Sequence, residues 1–176
     1  GTAATVFSSI TGLPDIDTKE TASRNLRVID QKIIFDQFDG YEKLYLLGGS
    51  ANWANIRGVF KSNIKNLKIY EEGSYEVENR ADVWGIDDYD LFNESDKIFK
   101  NLHSSKKPFV AYVQTATNHR PFSVPQNKES YKPLVEGNID KTTLKESGFI
   151  SLAQLNALRY LDFNVKTFLN KAKESG

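Results

Sequence analysis

The sequence predicts a three-layer α/β sandwich with a mostly parallel central sheet. Two runs of apolar, β-prone residues, 43–47 and 109–113, each lead directly into glycine-rich or small polar residues. Stretches with apolar residues at helical spacing precede, separate and follow these runs. Because strands alternate with helices along the chain, we expect a parallel sheet covered by helices on both faces.

The amino-terminal part of the chain predicts two helices before the first strand. Residues 2–14 predict a short helix that is closed by Gly12 and Pro14, with small residues and hydroxyl groups at its start. Residues 15–23 are polar and predict a connection. Residues 24–38 carry apolar side chains at the spacing of an amphipathic helix.

The first predicted strand, 43–47, is followed at once by a Gly-Gly-Ser turn at 48–50 and by a predicted helix over 51–63. This pattern lacks the glycine spacing of dinucleotide-binding loops and the lysine of a P-loop, which excludes nucleotide binding by those modes. A short strand over 67–70 and an exposed loop over 71–82 are expected next.

Three aspartates, Asp87, Asp88 and Asp90, open the next predicted helix. Carboxylates suit the first turn of a helix, where they cap free N–H groups and complement the helix dipole. A metal-binding cluster is the alternative, and the position at a helix start favours capping. His103 ends this helix, where it is predicted to complement the dipole at the carboxyl end.

The second apolar run, 109–113, opens into small polar residues and then His119, Arg120 and Pro121. A buried strand that ends in a polar, histidine-bearing loop is typical of a functional site at the carboxyl edge of an α/β sheet. Pro121 disfavours helical backbone at Arg120, so the histidine is expected on an extended loop. The alternative is a surface histidine with a purely structural role.

The remaining residues predict one long excursion and one helix. Residues 125–148 are polar, contain two prolines and two glycines, and offer little to a core. Residues 149–173 have a broad apolar face at helical spacing. We find no internal repeat and no low-complexity tract in the sequence.

Composition excludes several classes of function. The 176 residues suit one domain or part of a larger one. Lys plus Arg and Asp plus Glu number 23 each, so no net charge favours nucleic acid as a partner. The absence of cysteine excludes disulfides, thiolate metal sites and thiol nucleophiles. The chain has no signal peptide or membrane-length apolar run, and it begins at Gly1 without Met, so we expect a fragment or a processed product.

Three polar clusters are expected to converge at the carboxyl edge of the sheet: Thr2, the stretch from Gly48 to Arg57, and 118–120. Together they suit an anionic phosphate or sulfate ester. The guanidinium of Arg57 would clamp the ester oxygens, and the imidazole of His119 would donate to a leaving or bridging oxygen.

Trp53 and Arg57 each have an alternative role. Trp53 would form an apolar wall for a glycerol or sugar group, and its alternative role is helix packing. For Arg57 the alternative is a surface salt bridge. The hydroxyl of Thr2 is a poor nucleophile unless a metal or a base lowers its pKa.

The chain also resembles a known family. Four stretches carry the resemblance in this order: GTAATVFSSITGLP, LYLLGGSANWANIRGVF, VWGIDDYDLF and KKPFVAYVQTATNHRPF. They are similar to the sulfatase-like branch of the alkaline phosphatase superfamily, and within it to the lipoteichoic acid synthase and phosphoglycerol transferase group. The resemblance implies an alkaline-phosphatase-like fold that is incomplete in this chain, with residues 1–176 forming part of a catalytic domain.

The resemblance implies roles for four residues. Thr2 matches the family's nucleophile, which carries phosphoglycerol covalently and ligates a divalent metal, Mn or Mg. His119 matches the substrate-binding histidine, and Trp53 and Arg57 are similar to residues of the substrate pocket. It also implies an extracytoplasmic domain of a bacterial membrane protein, anchored by transmembrane helices outside this chain.

Sulfatases that use formylglycine derive it from a Cys or Ser in a C/S-x-P-x-R motif, and this chain has no such motif. The expected reaction is therefore phosphoglycerol transfer to a cell-envelope glycan or lipid. The alternatives are a sulfuric ester hydrolase, a non-catalytic domain that binds an anion or glycan, and an unrelated α/β scaffold.

The family's remaining metal ligands are an acidic residue before the nucleophile and an Asp-His pair after the last helix, and neither segment is present. A hard divalent ion needs several oxygen or imidazole ligands, which Thr2 alone does not supply. We therefore expect the 176-residue chain by itself to bind no metal tightly and to turn nothing over.

Overall fold

The structure, a computed structural model, describes residues 2–14, 30–126, 128 and 130–175. These residues form five α-helices and three β-strands. The helices are α1 (Thr2–Thr11), α2 (Ile56–Asn63), α3 (Asp88–Ser104), α4 (Lys141–Glu146) and α5 (Leu152–Ser175). The strands are β1 (Glu42–Leu47), β2 (Lys68–Tyr70) and β3 (Phe109–Gln114).

The strands form one parallel sheet in the order β2-β1-β3, with β1 in the centre. Tyr45 of β1 lies opposite Ile69 of β2 and Tyr112 of β3. Because β1 is covered on both faces, it is a continuous apolar run from Leu44 to Leu47 with every side chain buried. In the described part of the chain β3 pairs along one side only, and its side chains are half-buried.

Alternate residues of β1 belong to two separate cores. Tyr45 and Leu47 pack with α1, α2 and the turn at 34–37, and the Tyr45 ring stacks on Phe60 at 4.1 Å. Leu44 and Leu46 pack on the other face with residues of α3. Helix α5 packs on the outside of α3. The predicted three-layer α/β sandwich with a parallel sheet is therefore confirmed.

The strands and most helices lie where the sequence predicts them. The prediction of an amphipathic helix over 24–38 is wrong for the residues that the structure describes. Residues 24–29 lie outside the described residues, 30–33 are not helical, and Ile34–Gln37 form only a 3-10 turn. The backbone of Ile33 is extended, and its N–H donates to the Asp36 side chain (3.0 Å). A side-chain acceptor thus replaces the helical hydrogen bond at this position.

Two other boundaries differ from expectation. The helix predicted over 51–63 becomes α-helical only at Ile56, because Ala54 and Asn55 have left-handed backbone (φ 49° and 58°). The excursion over 125–148 contains the short helix α4, whose first turn is capped by the side chain of Asp140. A six-residue helix with one buried side chain is too short for hydrophobic periodicity to reveal it.

Two backbone turns meet directly beside the carboxyl end of β1. Gly48 and Gly49 follow β1, and the Ile86 N–H donates to the Gly48 carbonyl (3.1 Å). Gly85 has φ +105°, and a Cβ there would overlap the Gly48 carbonyl oxygen. A side chain at Gly49 would overlap the Trp84 carbonyl oxygen in the same way. These positions therefore require glycine, and the contact ties the segment before α3 to the central strand.

The contact predicts that Gly85→Ala lowers the free energy of unfolding by about 3 kcal/mol or more, since a methyl group meets backbone that cannot move aside. The matched control is Gly137→Ala, where φ is also positive (+92°) but nothing lies within 4 Å of the added Cβ. Its cost is expected to be about 1 kcal/mol, from the left-handed backbone alone. Urea unfolding measures both, and equal losses would contradict the role given to the contact.

Candidate active site

A cavity of about 260 Å³ lies at the carboxyl edge of the sheet. Its lining comes from the start of α1, from the ends of β1 and β3, and from the segments that follow these strands. The loop 80–84 closes one side. Parallel strands bring their carboxyl ends to one edge, so segments distant in sequence meet there.

Three of the four predicted site residues line this one cavity: Thr2, Trp53 and His119. Thr2 is the first residue of α1, where unpaired backbone N–H groups favour an anion. Trp53 lies in the 3-10 turn before α2 and is 44% exposed, so its ring is available at the cavity rather than buried in packing. His119 lies in the loop after β3.

Arg57 is not among the described residues that line the cavity. Its guanidinium pairs with the Glu71 carboxylate and donates through Nε to Asn52 (2.7 Å). Glu71 also accepts from the Ala51 N–H (2.8 Å), so the pair joins the turn after β1 to the end of β2. Burial raises the pKa of Glu71, but the hydrogen bonds from Arg57 and Ala51 outweigh it and hold the pKa below its usual range. The oxyanion clamp stays a prediction, and it requires this pair to open.

Arg80 is a cavity residue that the sequence patterns did not indicate. Among the described lining residues it is the one with a permanent positive charge. Its guanidinium donates to the Glu72 carboxylate (2.7 Å) and to the carbonyl oxygens of Asp82 (3.2 Å) and Val83 (2.7 Å). Glu72 lines the cavity as well, and two of the five N–H donors of Arg80 make no hydrogen bond with a described residue, so these two remain for a ligand anion. The residue lies in the stretch that polarity alone predicts to be an exposed loop.

Trp84 is a second cavity residue that the sequence patterns did not indicate. Its ring contacts Trp53 edge to face (5.6 Å between centroids) and lies 4.3 Å from the His119 ring. Its indole N–H donates to the Arg120 carbonyl oxygen (2.6 Å). The two tryptophans and the histidine therefore form a continuous aromatic wall on one side of the cavity.

The loop that carries His119 begins with a turn in which the His119 N–H donates to the Ala116 carbonyl oxygen (2.9 Å). Nδ1 of the ring lies 2.9 Å from the Arg120 carbonyl oxygen. A carbonyl oxygen only accepts, so Nδ1 is the donor of this bond. Nε2 is then the nitrogen that remains for a ligand, as an acceptor in the neutral ring and as a donor in the cation.

A fully buried carboxylate positions the start of this loop. Oδ1 of Asp88 accepts from the backbone N–H groups of Ala116 (2.9 Å) and Thr117 (3.2 Å). In return, the Asp88 N–H donates to Oγ1 of Thr117 (3.0 Å). Burial raises the pKa of Asp88, and the hydrogen bonds from the loop oppose that rise only in part. Asp88 is thus a clamp between α3 and the loop rather than a cap of its own helix.

The neighbouring aspartate caps the helix as predicted. Asp87 accepts from the Tyr89 N–H (2.8 Å) and from the hydroxyl of Tyr160 (2.8 Å), which joins α5 to the start of α3. Burial raises the pKa of Tyr160, and the adjacent Asp87 charge raises it further, so the hydroxyl remains a donor. Asp90 pairs with Lys128 (2.7 Å), so all three aspartates at this helix start have structural partners.

The metal that the family resemblance implies does not fit the described residues alone. Over residues 2–14, 30–126, 128 and 130–175, no group of three or more His, Cys, Asp or Glu side chains could hold a metal ion. Thr2 offers a single hydroxyl oxygen, which is too little for a hard divalent cation.

No described helix has the length and apolar character needed to cross a membrane.

The family of this protein follows from comparison of the whole chain. The sulfatase family model matches residues 1–176. Lipoteichoic acid synthase 1 of Bacillus subtilis (strain 168) is 30% identical over 173 residues, which cover 98% of this chain and 25% of that protein. The chain belongs to the sulfatase family, and it spans about a quarter of the length of this relative.

Two solved structures have the same fold. A protein in the alkaline phosphatase superfamily from Vibrio parahaemolyticus has a TM-score of 0.75 and 26% identity, covering 97% of this chain and 38% of that one. The phosphoglycerol transferase GacH of Streptococcus pyogenes, solved in complex with sn-glycerol-1-phosphate, has a TM-score of 0.64 and 17% identity, covering 100% and 45%. The expected family and the alkaline-phosphatase-like fold are therefore confirmed.

The buried state of Asp88 predicts how stability depends on pH. Its raised pKa means that the folded state keeps the proton to higher pH than the unfolded state, whose value is 3.8. The stabilisation is complete below the unfolded pKa and is lost as pH rises through the folded pKa. Asp88→Asn keeps an acceptor for the loop and removes the titration, so its stability relative to wild type should increase across this window.

Urea unfolding from about pH 3 to about pH 7 measures this dependence. Asp88→Ala is the contrasting variant, because it leaves the N–H groups of Ala116 and Thr117 without their acceptor. It should be less stable than Asp88→Asn by about 3 kcal/mol at every pH. Parallel stability curves for wild type and Asp88→Asn would show that Asp88 does not titrate as described.

Proposed function

We propose that this chain is part of the catalytic domain of a phosphoglycerol transferase that acts through Thr2 on a cell-envelope glycan or lipid. The observation that carries the proposal is that Thr2 and His119 line one cavity at the carboxyl edge of the sheet. Membership of the sulfatase family and 30% identity to a lipoteichoic acid synthase support it.

The proposed chemistry is a double displacement at phosphorus. Oγ1 of Thr2 attacks the phosphorus, an O–P bond forms, and the bond from phosphorus to the leaving alcohol breaks. The proton of the Thr2 hydroxyl ends on the leaving oxygen, and we assign His119 to carry it. The acceptor hydroxyl then attacks the same phosphorus, the bond from phosphorus to Oγ1 of Thr2 breaks, and the proton of the acceptor hydroxyl passes to Oγ1.

The cavity offers matching partners for a small anionic ester with a hydroxylated tail. The guanidinium of Arg80 and the start of α1 favour the negative charge, and the rings of Trp53 and Trp84 suit the carbon skeleton. The bound sn-glycerol-1-phosphate of GacH supports phosphoglycerol as the group transferred. A sulfuric ester hydrolase is the second candidate, favoured only by the name of the matching family.

For the longer protein we propose a divalent metal, Mn²⁺ or Mg²⁺, held by Thr2 and by ligands from segments outside this chain. Such an ion would neutralise ester charge and make the Thr2 hydroxyl more acidic. We also propose an extracytoplasmic location with membrane-spanning helices in those other segments. A zero net charge gives no reason to expect nucleic acid as a partner.

Replacement of Thr2 tests the nucleophile. In the full-length protein Thr2→Ala should abolish the covalent phosphoglycerol adduct, while Thr2→Ser should retain a reduced amount because it keeps a hydroxyl group. The matched control is Thr5→Ala, an exposed threonine one turn further along α1, which should leave the adduct unchanged. Intact-protein mass spectrometry measures the adduct, and its persistence in Thr2→Ala would exclude Thr2.

Substitution of Arg80 and of Arg57 is expected to affect different properties of the protein. Arg80→Gln should raise KM about tenfold, since it removes the positive charge at the cavity. Arg57→Gln should mainly lower the unfolding temperature, because Glu71 loses its cationic partner. Steady-state kinetics and thermal unfolding of both variants measure these effects. The reverse pattern, with the larger KM effect at Arg57, would support the clamp and contradict the role given to Arg80.

A further inference from the structure

We propose that Trp84 is a positioning residue for His119, and that it acts through the carbonyl oxygen of Arg120, which both rings use as an acceptor. The inference rests on the proposed function only in giving His119 a role in the cavity. It adds a residue from a different segment, and it assigns the ring nitrogen that His119 presents to a ligand.

The carbonyl oxygen of Arg120 is an acceptor shared by the two rings. The indole N–H of Trp84 donates to the Arg120 carbonyl oxygen at 2.6 Å, and Nδ1 of His119 lies 2.9 Å from the same oxygen. The two rings contact each other at 4.3 Å between centroids. A carbonyl oxygen has two lone pairs, so it can satisfy both donors at once. The imidazole is thereby held both by a hydrogen bond and by a ring contact.

Trp84 belongs to a segment that is itself fixed. Its backbone N–H donates to the Asp82 carboxylate (2.8 Å), and the glycine contact described above holds its carbonyl against Gly49. The next residue, Gly85, donates through its N–H to the Asp82 carbonyl (3.3 Å). The indole is therefore attached to the end of β1 and not merely to a surface loop.

The consequence is a link between the ends of two neighbouring strands. His119 follows β3, while Trp84 is held against the turn after β1. Without the indole N–H, the Arg120 carbonyl would keep one donor, and the loop would lose its hydrogen bond to the segment that is held against the end of β1. The imidazole would then spend less time in the orientation with Nδ1 protonated and Nε2 available, and turnover would fall.

A graded series in the full-length protein tests the proposal. Trp84→Phe keeps an aromatic ring against His119 but removes the donor, and it should lower kcat/KM about fivefold, as expected for the loss of one neutral hydrogen bond. Trp84→Leu removes both contacts and should lower it further. The control is Tyr41→Leu, which removes a half-exposed aromatic ring at the opposite edge of the sheet and should change nothing.

A double-mutant cycle distinguishes positioning from general support. If Trp84 acts through His119, adding Trp84→Phe to His119→Ala should cause no further loss of kcat/KM. If the two substitutions lower kcat/KM by factors that multiply, the proposal is overturned. It is also overturned if kcat/KM of Trp84→Phe lies within twofold of the wild-type value. A fall in thermal stability that accounts for the lost activity would also overturn it.

The tautomer provides a readout that does not depend on activity. Histidine ¹⁵N NMR of the full-length protein, with the His119 signals identified by their absence in His119→Ala, should show the Nδ1–H form in the neutral ring and less of it in Trp84→Phe. The Nε2–H form in wild type would overturn the inference. If the expected tautomer appears but no phosphoglycerol is transferred, the proposed function fails and the positioning role stands.

Discussion

The architecture of the site depends on the direct approach of two backbone turns, the glycines after β1 and Gly85 before α3. No side chain separates them, so the segment that carries Arg80 and Trp84 reaches the edge of the sheet. From there Trp84 contacts the loop after β3, which Asp88 holds from the other side. The walls of the cavity are thus fixed relative to the strand ends by contacts outside the sheet.

Much of the fold could be predicted from local patterns. Strand β1 was predicted because its side chains from Leu44 to Leu47 are apolar, as burial on both faces of the sheet requires. Strand β3 was predicted because its residues are also mostly apolar and β-prone. The prediction of a helix over 24–38 is wrong for its described residues, because the Ile33 N–H donates to the Asp36 side chain instead of to a helical carbonyl oxygen. Periodicity reports which side chains are apolar, and it does not report such competing hydrogen bonds.

The site was predictable only in part. Thr2, Trp53 and His119 were expected together because each lies at a strand end or helix start, and parallel topology collects those positions. Arg57 has the same kind of position but pairs with Glu71, a partner that sequence spacing does not reveal. Arg80 and Trp84 depend on the glycine contact across more than thirty residues, so only the three-dimensional packing brings them to the cavity.

The half-buried strand β3 has a consequence for handling the protein. In the described part of the chain its outer N–H and C=O groups have no neighbouring strand, and its side chains are apolar along most of its length. An unpaired strand edge of this kind can form main-chain hydrogen bonds with a strand of another polypeptide. Among the described residues, this edge of β3 is one at which two chains can pair through main-chain hydrogen bonds, so covering it favours a monodisperse preparation.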